Sequence, residues 1–318
     1  MKKFLIFFIS DIHGSEECFK KFINAGKFYK ANVLILGGDI TGKTITPIFK
    51  EANGTFSCKF LGESLKINTD EKLEILIQKI RSIGSYPYVT TTLEWKEISE
   101  DQSRMDELFN NLMKETLRRW IKIADERLKG TEIKCYVSPG NDDSFSIDPI
   151  LEESECIINP NEKIIEIDQD LEMISLGYSN ITPWKCPRDI TEEELSIKIE
   201  KLASKLKNAE KSIFNIHVPP YGTGIDSAPE LDEEMRPKLE PGGGVRMISV
   251  GSTAVREAIL KYQPLLGLHG HIHEAKGFFK LSRTLCLNPG SEYLERILRG
   301  VLIQISNSKI KDFMFTAG

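Results

Sequence analysis

The chain has 318 residues, which fits one or two domains at roughly 150 residues each. A composition of 40% hydrophobic and 28% charged residues is that of a folded protein and excludes a disordered or fibrous one. A net charge of −5 argues against a duplex nucleic acid partner, whose binders carry a basic domain or stripe, but leaves room for a nucleotide or a short single strand.

The first apolar run, Phe4–Ile9, follows Lys2 and Lys3 and so resembles the start of a signal peptide. It is short for that role, no small-residue cleavage site follows, and it falls well below the ~20 residues of a membrane helix. A buried strand explains it better. A helix is predicted over 16–29 and a second strand at Val33–Leu36, since continuous apolar runs suit strands covered on both faces. Further strands are expected at 133–137, 163–167, 172–176, Ile213–Ile216, 265–268, 284–287, 300–305 and 310–315. Thr191 and Glu194 have capping-box spacing, and Leu195, Ile199, Leu202 and Leu206 follow on one helical face. Another helix is expected from near Ser252 to just before Pro264.

One stretch breaks this alternation. Residues 43–132 contain no histidine and predict two helices, at 70–83 and 104–129, the second about 39 Å long at 1.5 Å per residue. The segment is expected to be a helical insertion within a single domain spanning 1–318, able either to cap a site or to add a packing layer. Its 15 basic and 15 acidic residues give it no net charge. Six scattered cysteines with no Cys-x-x-Cys pair point to reduced thiols and a cytoplasmic protein.

The chemistry is concentrated in five short motifs: Asp11-Ile12-His13, Gly38-Asp39, Gly140-Asn141-Asp142-Asp143, His217 and Gly270-His271-Ile272-His273. Each follows a predicted strand, and in open α/β sheets ligands collect at the carboxyl ends of strands. Alone, each motif is weak, because Asn-Asp is also a turn signal and a single histidine is more often a core residue. Together they bring Asp11, His13, Asp39, Asn141, His217, His271 and His273 to one place. Such oxygen and imidazole donors suit Mn, Fe, Co, Ni or Zn better than Ca or Mg. Seven donors are too many for one ion and suit two ions about 3.5–4 Å apart, the spacing of two-metal hydrolases. The absence of thiolates argues against a structural zinc site.

The order and residue types of these motifs resemble the calcineurin-like metallophosphoesterase superfamily, over positions 11 to 273 and again at Leu287-Asn288-Pro289-Gly290-Ser291. The run from His217 to Thr223, the run from Gly251 to Arg256 and the long insertion look like a prokaryotic branch with Asn-Asp-Asp in the third block. The resemblance implies an αββα sandwich, an α/β fold of two mixed sheets flanked by helices. It also implies two divalent ions: Asp11, His13 and His273 on one, Asn141, His217 and His271 on the other, and Asp39 bridging. The implied reaction is attack of a metal-bound hydroxide on the phosphorus of a small phosphodiester or phosphomonoester. Asp142 stands where most members place a histidine that can protonate the leaving oxygen, and Asp143 matches the acidic residue that orients it. Both are therefore candidate catalytic residues.

Other residues fit less specific roles. His269 fits core packing better than ligation. Arg246 and Arg256 could hold a phosphate, although a surface salt bridge is the better account of each. The alternatives are a nuclease acting on single strands, disfavoured by the lack of basic runs, and a metal-binding scaffold, disfavoured by the complete donor set. No membrane partner is expected.

Overall fold

Ile6 and Phe8 point to one face of the strand Phe4–Ile9 and Phe7 to the other, and all are buried, so this strand must be covered on both sides. The computed structural model, which describes residues 3–318, shows what covers it. Ile6, Phe8, Val33, Ile35 and Tyr136 meet Met173, Ile213, Leu266, Leu268 and Leu287 in a core between two six-stranded sheets. Phe7, Ile9, Leu34 and Leu36 pack outward with Phe19, Phe22, Leu117 and Trp120. On the far side, Ile174, Leu176, Phe214 and Ile216 pack outward with Leu195, Ile199, Val255 and Ile259. The result is an αββα sandwich.

The helices of the described residues are α1 (Glu16–Phe28), α2 (Asp70–Ser82), α3 (Thr92–Ser99), α4 (Gln102–Leu128), α5 (Asp148–Leu151), α6 (Glu192–Ala203) and α7 (Thr253–Tyr262). Helix α6 starts at the predicted capping box, and α7 is capped by the Ser252 side chain. In the first sheet, Phe4–Ile9, Val33–Leu36 and Lys134–Val137 run parallel, and Arg299–Ser306 pairs antiparallel with Phe4–Ile9. In the second, Leu171–Leu176, Ile213–Ile216, Leu266–Leu268 and Thr284–Asn288 run parallel. Parallel strands end at the same edge, and all five motifs lie in loops at such ends.

The segment 43–132 differs from its purely helical expectation. It contains α2, α3 and α4, but also a four-stranded sheet of Thr44–Lys50, Phe56–Phe60, Glu63–Ile67 and Ser85–Thr90. That sheet and α2 enclose a small core of Ile48, Cys58, Ile67, Leu76 and Ile80. Helix α4 instead joins the outer layer of the first sheet, where Trp120 stacks on Phe19 of α1 with ring centroids 4.4 Å apart. The turn at Gly84 reaches back to the first motif: Gly84 has φ 88°, and a Cβ there would collide with the His13 carbonyl. Among the described residues no helix is long and apolar enough to cross a membrane, and all six cysteines are free.

The stack of Trp120 on Phe19 makes α4 part of the main core. Trp120→Ala should therefore lower the unfolding free energy of the whole chain by about 3–5 kcal/mol, as for other buried aromatic truncations. Urea unfolding followed by circular dichroism checks this; a loss below about 1 kcal/mol would show that α4 is only loosely attached.

Candidate metal centre

Asp11, His13, Asp39 and His271 adopt left-handed φ values of 58°, 38°, 52° and 67°. Outside glycine such conformations cost of order 1–3 kcal/mol each and persist where the surroundings over-determine them, commonly at functional sites. Here the surroundings are a set of main-chain bonds between the first two motif loops. Asp11 N donates to the Gly38 carbonyl, His13 N to that of Asp39 and Gly14 N to that of Ile40, each at 2.9 Å. Two glycines allow the third and fifth loops to close in. A Cβ on Gly140 would collide with the Asp39 carboxylate, and one on Gly270 with the Asp11 carboxylate.

These loops bring all seven sequence-predicted donors together. Asp11, His13 and His273 form one group and Asp39, His217 and His271 a second, and His13, Asp39 and Asp142 form a third that overlaps both, with the donor atoms of each group within 4.8 Å of one another. Asp39 faces both groups: its Oδ1 lies 3.4 Å from His217 Nε2 and its Oδ2 lies 3.6 Å from His13 Nε2. His273 Nε2 is 3.6 Å from Asp11 Oδ1 and 3.0 Å from His13 Nε2. Asn141 joins the second group through its Oδ1, 2.9 Å from His271 Nδ1. Donors bound at ~2.1 Å around one ion stand roughly 3.0–3.4 Å apart, so these separations fit ion coordination.

The supporting contacts aim the donors inward. His217 Nδ1 donates to the Gly37 carbonyl at 3.0 Å, which turns Nε2 into the cluster, where it has no hydrogen-bond partner. Asn141 Nδ2 donates to Asp189 Oδ1 at 2.9 Å, leaving the amide oxygen for the cluster. His271 N donates to both oxygens of Asp11, at 3.1 and 3.0 Å. Tyr293 lies against His13 with ring centroids 4.9 Å apart. Asp189 and Tyr293 carry no motif signal in the sequence, because both reach the site from parts of the chain far from the residues they touch.

The two catalytic candidates separate. Asp143 is enclosed rather than exposed to a substrate, which corrects its catalytic assignment. Its carboxylate accepts from the main-chain N–H groups of Ile40, Thr41 and Gly140 at 2.8–3.0 Å, so it fastens the second motif loop to the third. Buried Arg188 holds the same loop by donating to the carbonyls of Asp143 and Ser144. Asp142 does stand at the rim of the cluster, 3.8 Å from His13 Nδ1, but its carboxylate is paired with Lys43. Nothing in the sequence marked Lys43, which lies 99 positions from its partner.

The remaining candidates fall elsewhere. Arg246 pairs with Glu230 at 2.9 Å, and Arg256 donates to the Tyr221 carbonyl at 2.8 Å, so each side chain has a partner outside the cluster. His269 is a core residue, as expected, with Nδ1 2.8 Å from the Ile216 carbonyl.

Electrostatics set what the cluster needs. Burial alone would raise the Asp11 carboxyl, yet its hydrogen bond with His273 and the charges of His217 and His273 hold it down to about 2. Burial likewise works against ionised Asp39, and His217 and His13 keep it well below the usual carboxylate range. Burial lowers His13 and His271 to about 4. His217 goes the other way. Burial would lower it, but Asp39 and Asp11 raise it to about 9. Without ions, protonated histidine therefore balances two buried carboxylates, a task that divalent cations would take over. Charge, donor types, spacing and the unpartnered His217 Nε2 all fit a pair of borderline divalent metals.

No family model matches the chain. An uncharacterized protein of Methanocaldococcus jannaschii, MJ1162, is 31% identical over 161 residues, which make up 50% of this chain and 63% of that protein. The chain thus matches less than two thirds of that relative's length. One crystal structure aligns over 98% of both chains with a TM-score of 0.57 at 16% identity. The crystal structure of TT1561 of Thermus thermophilus aligns over 100% of this chain and 99% of that one, with a TM-score of 0.54 at 13% identity. At these identities the likeness is one of fold. The chain has the sandwich and the buried His/Asp clusters that its resemblance to the metallophosphoesterases implies.

A pH dependence follows from His217. A histidine raised to about 9 stabilises the ion-free protein fully below its ordinary value of 6.5, and that contribution is lost as pH rises through about 9. Metal binding must displace the same proton. At pH 7, Mn²⁺ should bind to ion-free protein with proton release, and its affinity should rise with pH up to about 9. Calorimetry in buffers of different ionisation enthalpy measures the proton count; proton-neutral binding with pH-independent affinity would contradict this.

Proposed function

We propose that the protein is a dinuclear, metal-dependent phosphoesterase of the calcineurin-like kind, hydrolysing a small phosphomonoester or phosphodiester. Asp39 carries this reading, because its two oxygens face two separate groups of buried donors, as a bridging carboxylate requires. Asp11, His13 and His273 would hold one ion and Asn141, His217 and His271 the other. Two divalent ions held there would supply Lewis-acid charge to the phosphoryl oxygens and acidify a bound water.

The chain's own residues do the rest. Gly37 and Asp189 fix the ring of His217 and the amide of Asn141, so both donors are preorganised. Asp143 and Arg188 keep the third loop against the second, which sets the distance between Asn141 and Asp39. With the Asp142 carboxylate engaged by Lys43, position 142 offers no free acid for the leaving oxygen, so esters of acidic alcohols should react faster than alkyl esters. A cavity of about 380 Å³ lined by residues including His273, Ser291, Tyr293 and Arg299 adjoins the cluster and has room for a small ester group. The even charge of residues 43–132 and the net −5 of the chain favour such a substrate over a polyanion.

Metal analysis of the purified protein, followed by assays on nitrophenyl mono- and diesters, cyclic nucleotides and oligonucleotides, tests the reading. Changing a residue that merely supports a metal ligand typically costs 10–100-fold, so Asp39→Ala, which removes a shared ligand, should lower hydrolysis by more than about 100-fold. Chelation should abolish the wild-type activity, and Mn²⁺ or a similar ion should restore it. Full activity in the chelated enzyme would refute the two-metal mechanism.

A further inference from the structure

Lys43 is the first residue of the segment 43–132, and its side chain is 51% exposed. Among the described residues it is the lysine whose ion pair reaches a motif residue, Asp142. A half-exposed pair of this kind adds little to stability, so folding alone does not account for it. Asp142 is itself fixed to the cluster: its N–H donates to Asp39 Oδ1 at 3.1 Å, and its Oδ2 lies 3.8 Å from His13 Nδ1. The Lys43 ammonium is therefore tethered, through one carboxylate, to the residue that faces both donor groups. An ammonium carries three N–H donors, so its ion pair with a single carboxylate leaves capacity for an incoming anion.

We propose that Lys43 binds a terminal phosphoryl oxygen and biases the site toward phosphate monoesters. The proposal rests on the phosphoesterase reading and goes on to name the substrate class. Two donor groups offer two places where phosphoryl oxygens can be neutralised. A diester has two terminal oxygens and one negative charge, and these two places satisfy it. A monoester has a third terminal oxygen and up to one further charge, and needs a third cationic partner. Lys43, whose ion pair reaches the motif residue Asp142, can supply it, as a point charge on a flexible stem that a carboxylate holds in place. In a diester the third position carries an esterified oxygen, which gains little from an ammonium.

The test compares wild type with Lys43→Ala and Lys43→Arg, using the full chain reconstituted with Mn²⁺. Three quantities are measured: Mn²⁺ affinity by calorimetry, affinity for inorganic phosphate, and kcat/KM for nitrophenyl phosphate against bis-nitrophenyl phosphate. In Lys43→Ala, Mn²⁺ should bind at least as tightly as in wild type, since a cation beside the donors is removed, while phosphate affinity and monoester kcat/KM fall roughly 10–100-fold, the scale of one charge-assisted hydrogen bond. Diester kcat/KM should change far less, so the ratio of the two substrates shifts, and Lys43→Arg should restore most of the loss. If Lys43→Ala melts at a lower temperature, Lys43→Met, which keeps the aliphatic stem, provides the same comparison. Equal losses on both esters, or unchanged phosphate affinity, would overturn the proposal. A wild type that binds no Mn²⁺ or hydrolyses neither ester would instead overturn the phosphoesterase reading, and this proposal with it.

Discussion

Asp11 and Asp39 bring two carboxylates into one buried pocket, 1% and 4% exposed, and the surrounding architecture answers that concentration of negative charge. Burying an unpaired carboxylate is expensive, so the fold must supply positive charge or cations within a few ångströms. His217 and His273, whose affinity for a proton the two acids raise, do so in the ion-free protein. Bringing the loops close enough requires left-handed main chain at four of the seven donors and glycine where Gly140 and Gly270 touch the carboxylates. Strain, glycine placement and the divergent behaviour of the histidines are thus consequences of a single requirement. His217 takes up a proton because it faces both acids, while His13 and His271, with less compensation, are driven neutral by burial.

Most of the sandwich was legible because buried parallel strands carry an uninterrupted apolar signal. Phe4–Ile9, Val33–Leu36 and Ile213–Ile216 lie where their apolar runs place them. The capping box at Thr191 marked the start of α6 because its two reciprocal bonds are local. The four-stranded sheet in the insertion was hidden. Its strands are largely half-exposed, and prolines interrupt two of them, which reads as a break in a sequence; Pro87 is tolerated in the edge strand, and Pro47 where Thr44–Lys50 is not yet paired with Phe56–Phe60, which it meets only at Phe49 and Lys50. Helix α4 showed its apolar stripe, yet the stripe could not say which surface it covers.

The candidate site shows the same division. The donors were legible because divalent metal chemistry restricts residue types and because each donor ends a strand. Their partners were not. Lys43 and Asp142, or Asn141 and Asp189, meet only after the chain has folded, and neither pairing leaves a spacing rule behind. Asp143 shows the reverse error. Its place in a motif suggested chemistry, but three main-chain N–H groups claim the carboxylate, and its task is to lock two loops together. An acidic residue in a catalytic motif can serve its geometry alone.

The parallel pairing of the central strands also constrains how the chain acquires its structure. Phe4–Ile9 finds Val33–Leu36 across α1, but Val33–Leu36 waits for Lys134–Val137, on the far side of the whole insertion. The antiparallel neighbour of Phe4–Ile9, Arg299–Ser306, lies on the far side of the second sheet in sequence. Parallel pairs cannot zip from tight turns, and contacts distant in sequence slow folding. On the ribosome, Phe4–Ile9 must therefore keep one edge unpaired until Arg299–Ser306 emerges, and Ile6 and Phe8 stay uncovered until the second sheet forms. The pocket that joins position 11 to position 273 can form only once both sheets stand face to face, so the site is completed late, after the scaffold that strains it into shape.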